Sequence, residues 1–113
     1  MATPPALNAL RFRVFGQVQR VFFRKYTAME ANRLALKGHV MNQQDGSVSG
    51  LAVGTPPALD DFKAWLSTVG SPKSKIDRAE FESIPVTPDL LTSLTDPTKF
   101  VIVRHDGSIK PAT

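Results

Sequence analysis

The chain has 113 residues, a size for one compact domain with a modest core, and its 42% hydrophobic content argues against disorder over the whole length. It has no cysteine, so no disulfide supports the fold; no apolar run is long enough to span a bilayer, and MATPPALNAL lacks the basic-then-apolar order of a signal peptide, so a cytoplasmic protein with no membrane partner is expected. The formal charge of +4 suits an anionic partner, but Arg11, Arg13, Arg20, Arg24, Lys25, Lys37, Lys73 and Lys75 are scattered rather than massed, the pattern of ordinary solvated surface.

Residues 1–8 are Pro-rich and read as a loose tail before a domain over 9–106. LRFRVF alternates, with Leu10, Phe12 and Val14 on one side and Arg11 and Arg13 on the other, which predicts a half-buried strand ended by Gly16. From Phe23, the residues Phe23, Thr27, Ala31, Leu34 and Ala35 recur at helical spacing, and Gly38 marks a stop or a strand entry. GHVMNQQDGSVSGLAVG predicts a hairpin turning at Asp45-Gly46. A second helix follows, with Thr55 as cap, Pro56 at its first position, Asp60 and Asp61 near its start, and Leu59, Phe62, Leu66 and Val69 as buried stripe. IDRAEFESI reads as a fourth strand and PVTPDLLTSLTDPTK as a connection with a helical turn around Leu90. FVIVRH reads as a last strand, and 107–113 as a loose tail. The predicted fold class is therefore α+β, a ferredoxin-like α/β sandwich: an antiparallel sheet with two helices on one face, ordered βαββαβ plus a C-terminal strand. That fold hosts many functions and names none.

Much chemistry is excluded. His39 and His105 are far apart, no cysteine is present, and no acidic cluster has ligand spacing, so no metal and no cofactor are expected. There is no G-x-S-x-G elbow, Walker loop or G-x-G-x-x-G. What remains is the passage GQVQRVFFR between a strand end and a helix start. Consecutive backbone N–H groups in such a bend can converge on an anion at a helix N-terminus, and Arg24 adds a forked, permanently charged group. A plain connection carrying a surface arginine reads equally well. Asn42, at the end of a strand, can donate and accept at once and so orient a water, although asparagine is also an ordinary turn residue.

GQVQRVFFR followed by GHVMNQQDG resembles the acylphosphatase family, whose signature joins G-x-V-Q-G-V-x-F-R to G-W-V-x-N and a D-G turn. The likeness continues through WLSTVGSPKSKIDR into FVIVRH, covering roughly residues 8–105. The resemblance implies hydrolysis of a small-molecule acyl phosphate to a carboxylate and inorganic phosphate, with phosphate as product and inhibitor. It also implies a monomer needing no metal. Carried over by position, Arg24 is the phosphate-binding arginine and Asn42 the water-positioning asparagine. Gln17, Val18, Gln19, Arg20, Val21 and Phe22 present the backbone amides, with Val18, Val21 and Phe22 anchoring the loop. The reaction suits a site without histidine or metal, because a carboxylate leaves readily and the remaining task is positioning and electrostatics.

Two positions depart from the family pattern: Arg20 replaces the loop glycine and His39 the tryptophan. If position 20 needs φ > 0, an arginine there costs about 1 kcal/mol or more. Otherwise Arg20 points to solvent, adds positive charge, or obstructs the substrate. His39 is expected to fill a half-exposed strand position, with a catalytic role the lesser reading. A non-catalytic anion-binding or regulatory domain of the same fold is the alternative function. A nucleic-acid module is a poorer fit, because RFRVF lacks the exposed aromatics on which bases stack, so no nucleic-acid partner is expected.

Overall fold

The structure is a computed structural model, and it describes residues 7–19, 22–71, 74–94, 96, 98–104 and 109–110. In chain order the elements are β1 (Asn8–Gln17), α1 (Phe23–Arg33), β2 (Lys37–Asn42), β3 (Val48–Gly54), α2 (Pro56–Ala64), β4 (Lys75–Ile84), α3 (Pro88–Thr92), β5 (Phe100–Val103) and β6 (Ile109–Lys110). The strands form one sheet in the order β4-β1-β3-β2-β5-β6.

The alternation seen in the sequence sorts the strands into two faces. Leu10, Phe12, Val14, Val40, Val48, Ala52, Phe100 and Ile102 point to one side, where Phe23, Ala28 and Ala31 of α1 and Leu59 and Phe62 of α2 bury them. Phe62 ties the layers together, meeting Phe12 edge-on at 5.5 Å and Phe100 at 5.9 Å between ring centroids. The opposite face carries a smaller apolar cluster of Ala9, Leu51 and Val53, covered by Leu90 and Leu94 from the connection through α3.

The ferredoxin-like sandwich expected from the sequence is present, with one difference: the sheet is mixed. β2 pairs parallel with β5, whereas β1–β3, β1–β4, β2–β3 and β5–β6 are antiparallel. The cause is the strand order. β4 lies on the far edge and runs opposite to β1 and β2, so a chain that crosses the sheet and turns back runs parallel to β2. Ile109–Lys110 pair with Ile102 and Val103, adding a short strand within the stretch read from the sequence as a loose tail.

Local punctuation differs in two places, and at a third Gly38 is the strand entry rather than the helix stop. β1 does not end at Gly16. It bulges between Phe15 and Gly16 and continues to Gln17, and Gly16 holds φ 131° where a Cβ would run into the Lys75 carbonyl. Helix α1 is closed by Ala35 in left-handed geometry (φ 60°), with Leu36 N–H reaching the Ala31 carbonyl at 2.8 Å, while Gly38 already belongs to β2. Thr55 precedes α2 without a side-chain cap, and α2 runs into a π-helical turn over Trp65–Val69, closed by Gly70 N–H to the Trp65 carbonyl at 3.1 Å. The wider turn rotates the last residues away from the core. Val69, expected in the buried stripe, is 62% exposed, while Leu66 stays buried.

Candidate active site

Strand direction sets where the site forms. β1, β2 and β5 run the same way, so their C-terminal ends share one edge of the sheet, and α1 begins there directly after β1. The partial positive charge of a helix N-terminus therefore faces the ends of three strands. The first turn of α1 contains no acidic residue, and its N-cap, Phe22, offers no side-chain hydrogen bond. Among the described residues, its leading N–H groups are thus not claimed by a side-chain cap, and such groups are suited to binding an anion.

Six of the eight sequence-predicted site residues lie among those described. Gln17 is the last residue of β1, paired with Lys75. Val18 is buried and anchors the loop in the core. Gln19 is half-buried, and its side-chain amide donates to the Gln43 carbonyl at 2.8 Å and the Ser47 carbonyl at 2.9 Å in the β2–β3 turn. Arg20 and Val21 lie outside the described residues, so the conformation at the family's glycine position is not described. Phe22 departs from the expected anchoring role. It is 70% exposed, and its backbone takes left-handed geometry (φ 59°, ψ 22°) as the chain turns into α1. That conformation costs about 1 kcal/mol or more in a residue with a Cβ. The loop's left-handed residue among those described is therefore Phe22.

Arg24 sits in the first turn of α1, half-buried, and no described carboxylate forms an ion pair with it. Burial holds its pKa below the usual guanidinium range, and the Arg104 cation lowers it further. Arg104 directly follows β5, so two arginines from distant parts of the chain lie close enough for the charge of one to act on the other. Like charges without a counter-charge favour an incoming anion. The sequence reading did not single out Arg104; the only local signal was its place immediately after a buried strand.

Asn42 ends β2, opposite Val48 of β3. It shares the helix-side parity of Val40, so its side chain projects on the face that carries α1. Its Oδ1 is buried and has no hydrogen-bond partner among the described residues. A buried acceptor left open is costly unless something supplies a proton donor. A cleft of about 450 Å³ lined by Arg13, Met41, Asn42, Gln43, Gln44 and Asp45 opens at this end of the hairpin. The turn that follows is stiff. Asp45 accepts from Ser47 N–H at 2.9 Å and from its hydroxyl at 2.6 Å, Arg13 binds both Asp45 and Ser47, and Gly46 takes φ 91°.

His39 has odd parity on β2 and faces away from Asn42, into a groove of about 750 Å³ on the helix-free side beside Arg11, Arg13, Glu80 and Glu82. Burial lowers its pKa. This is the half-exposed packing position expected from the sequence, separate from the Arg24 edge. His105 lies outside the described residues.

The family model for acylphosphatase matches residues 10–101. The chain belongs to the acylphosphatase family. It is 47% identical to acylphosphatase-1 of Gallus gallus over 81 residues, covering 72% of this chain and 82% of that protein. It is 42% identical to acylphosphatase-2 of Homo sapiens over 83 residues, covering 74% and 84%. Among solved structures, an acylphosphatase from Bacillus subtilis superposes with a TM-score of 0.74 at 34% identity, covering 87% of this chain and 99% of that one. This acylphosphatase is thus a hydrolase of small-molecule acyl phosphates, which it cleaves to a carboxylate and inorganic phosphate. The spacing of GQVQRVFFR and GHVMN carried that assignment in the sequence.

Proposed function

We propose that the substrate's phosphoryl group docks at the N-terminus of α1, held by backbone amides of Gln17, Val18, Gln19, Arg20, Val21 and Phe22 and by the Arg24 guanidinium, while Asn42 orients the attacking water. The observation that carries this reading is the pairing of two half-sites at one sheet edge. One is a half-buried Arg24, under the field of the Arg104 cation and with no acidic partner among the described residues; the other is a buried Asn42 Oδ1 with no hydrogen-bond partner among them. The first is a receptor for a dianion. The second is an acceptor for a water O–H, which turns the water's lone pair towards phosphorus.

In this mechanism the water oxygen forms a bond to phosphorus as the bridging P–O bond to the acyl group breaks. The bonding pair leaves on the carboxylate. A carboxylate is a weak base, with a pKa of about 4, so it departs without a protein general acid. The water's proton passes to an oxygen of the substrate and stays with the products. Arg24, Arg104 and the amides stabilise negative charge on the equatorial oxygens, and Asn42 supplies in-line alignment. No step requires a metal ion or cofactor. Inorganic phosphate inhibits by occupying the same cradle, and the enzyme acts as a cytoplasmic monomer.

The test is hydrolysis of benzoyl phosphate in EDTA by wild type, Asn42→Ala and Arg24→Ala. Asn42→Ala is expected to lose at least about 10²-fold in kcat, the scale for losing one aligned polar group, while still binding phosphate. Arg24→Ala is expected to lose both. Undiminished turnover in either variant would remove that residue from the site.

A further inference from the structure

The mechanism needs two separate pieces of chain at a fixed distance: the loop that holds phosphorus and the strand end that holds water. Gln19 joins them. Its carboxamide uses both N–H hydrogens on the hairpin, one on the Gln43 carbonyl (2.8 Å) and one on the Ser47 carbonyl (2.9 Å). Those two residues close the β2–β3 ladder, with Gln43 N–H donating to Ser47 O at 2.8 Å. Gln43 is the residue after Asn42, and Ser47 precedes Val48, the partner of Asn42 across the strands. The amide therefore grips the hairpin one residue away from the water-orienting side chain.

The hairpin has further bonds of its own: Asp45 accepts from Ser47, Arg13 donates to both, and the Gln43 side chain donates to Ser49 Oγ at 2.6 Å. On the loop side, Val18 just before Gln19 is sunk in the core, and Phe23, the first residue of α1, is buried as well. No other side-chain hydrogen bond among the described residues links 17–22 to the hairpin. We propose that the Gln19 side chain is a positioning residue, a clamp that sets the separation between the phosphate cradle and the water held by Asn42. The proposal rests on the site reading above. It assigns Gln19 a role in which its side chain never touches substrate, in addition to any backbone contact.

Misplacement by about 1 Å can cost about 10²-fold in rate even when binding persists. Gln19→Met keeps the length and bulk of the side chain and removes both donors. It is expected to lower kcat for benzoyl phosphate about 10- to 100-fold while KM and the phosphate inhibition constant move less than about threefold. Gln19→Ala is expected to match it. Because the clamp acts through the water, Gln19→Met/Asn42→Ala should lose no more than Asn42→Ala alone. A purely structural role predicts losses that multiply. Gln19→Glu guards against a misfolded Met variant: its carboxylate faces two carbonyl oxygens at neutral pH, and protonation restores one donor. Its kcat relative to wild type should therefore rise as pH falls towards about 4.3. Wild-type kcat in Gln19→Met, losses that multiply with Asn42→Ala, or a flat relative profile for Gln19→Glu would each overturn the clamp. A fully active Asn42→Ala would instead overturn the site reading on which it stands.

Discussion

Arg24→Ala separates stability from catalysis, and the structure sets the size of each effect. Before an anion binds, the guanidinium is half-buried beside Arg104 with no described acidic partner, and both burial and the neighbouring cation disfavour its charge. Removing it takes away an unfavourable charge. Because the group is still partly solvated, the gain is bounded by the scale of exposed ion interactions, no more than about 1 kcal/mol. A chain of this size then melts at the same temperature or up to a few degrees higher. Catalysis moves the other way. Loss of one preorganised donor to the transition-state charge costs about 3 kcal/mol, or about 10²- to 10³-fold in kcat, and Arg24 carries a full charge. Inorganic phosphate supplies the third readout. At a hundred times its Kd it stabilises the wild type by about 2.7 kcal/mol through mass action, and it should leave Arg24→Ala nearly unmoved. The assays are thermal melts with and without phosphate, beside benzoyl phosphate turnover. A variant that melts well below wild type would show that Arg24 supports the fold. A variant that retains activity within about tenfold, or keeps the full phosphate shift, would refute the receptor argument.

Arg104→Ala removes a single solvated charge from the same edge, worth about 1 kcal/mol or less. Phosphate inhibition should weaken by about fivefold or less and become less sensitive to salt; an unchanged salt dependence would place Arg104 outside the anion's field. The His39 pKa is lowered by burial, so the fold favours neutral imidazole and stability is fullest above the unfolded value of about 6.5. Stability should fall as pH drops below that value, less steeply in His39→Phe, with the pH–rate profile unchanged; a profile altered by the substitution would make His39 part of catalysis. Thr27 Oγ1 is buried in α1 without a hydrogen-bond partner among the described residues. Thr27→Val replaces it with an isosteric methyl and should be neutral or stabilising by about 1 kcal/mol in a denaturant titration; a loss of that size would mean the hydroxyl is bonded.

Much of the molecule is legible as local pattern. The period-two run of Leu10, Phe12 and Val14, the helical spacing of Phe23, Thr27 and Ala31, and the Asp45-Gly46 turn each reappear as the expected element, because side-chain periodicity reports which face is buried. Where periodicity misled, a backbone irregularity intervened. Val69 obeys the α-helical stripe but sits in a π-turn, and Gly16 looks like a stop but makes a bulge inside β1. Neither event leaves a mark in the hydrophobic pattern. Phe22 is the same lesson in the site: its apolar character suggests an anchor, yet the turn into α1 points it outward.

The sequence by itself determined the family and the ferredoxin-like plan, and it singled out Arg24 and Asn42, the two residues proposed to carry the chemistry. All of these are carried by residue types at fixed short spacings. Only the tertiary structure decided what meets at the sheet edge. Strand order and direction bring the ends of β1, β2 and β5 together, set Arg104 beside Arg24, leave Asn42 Oδ1 open, and lay the Gln19 amide across Gln43 and Ser47. These are meetings between residues far apart in the chain. They arise when the alternating faces of several strands are buried in one register, so no single segment contains them.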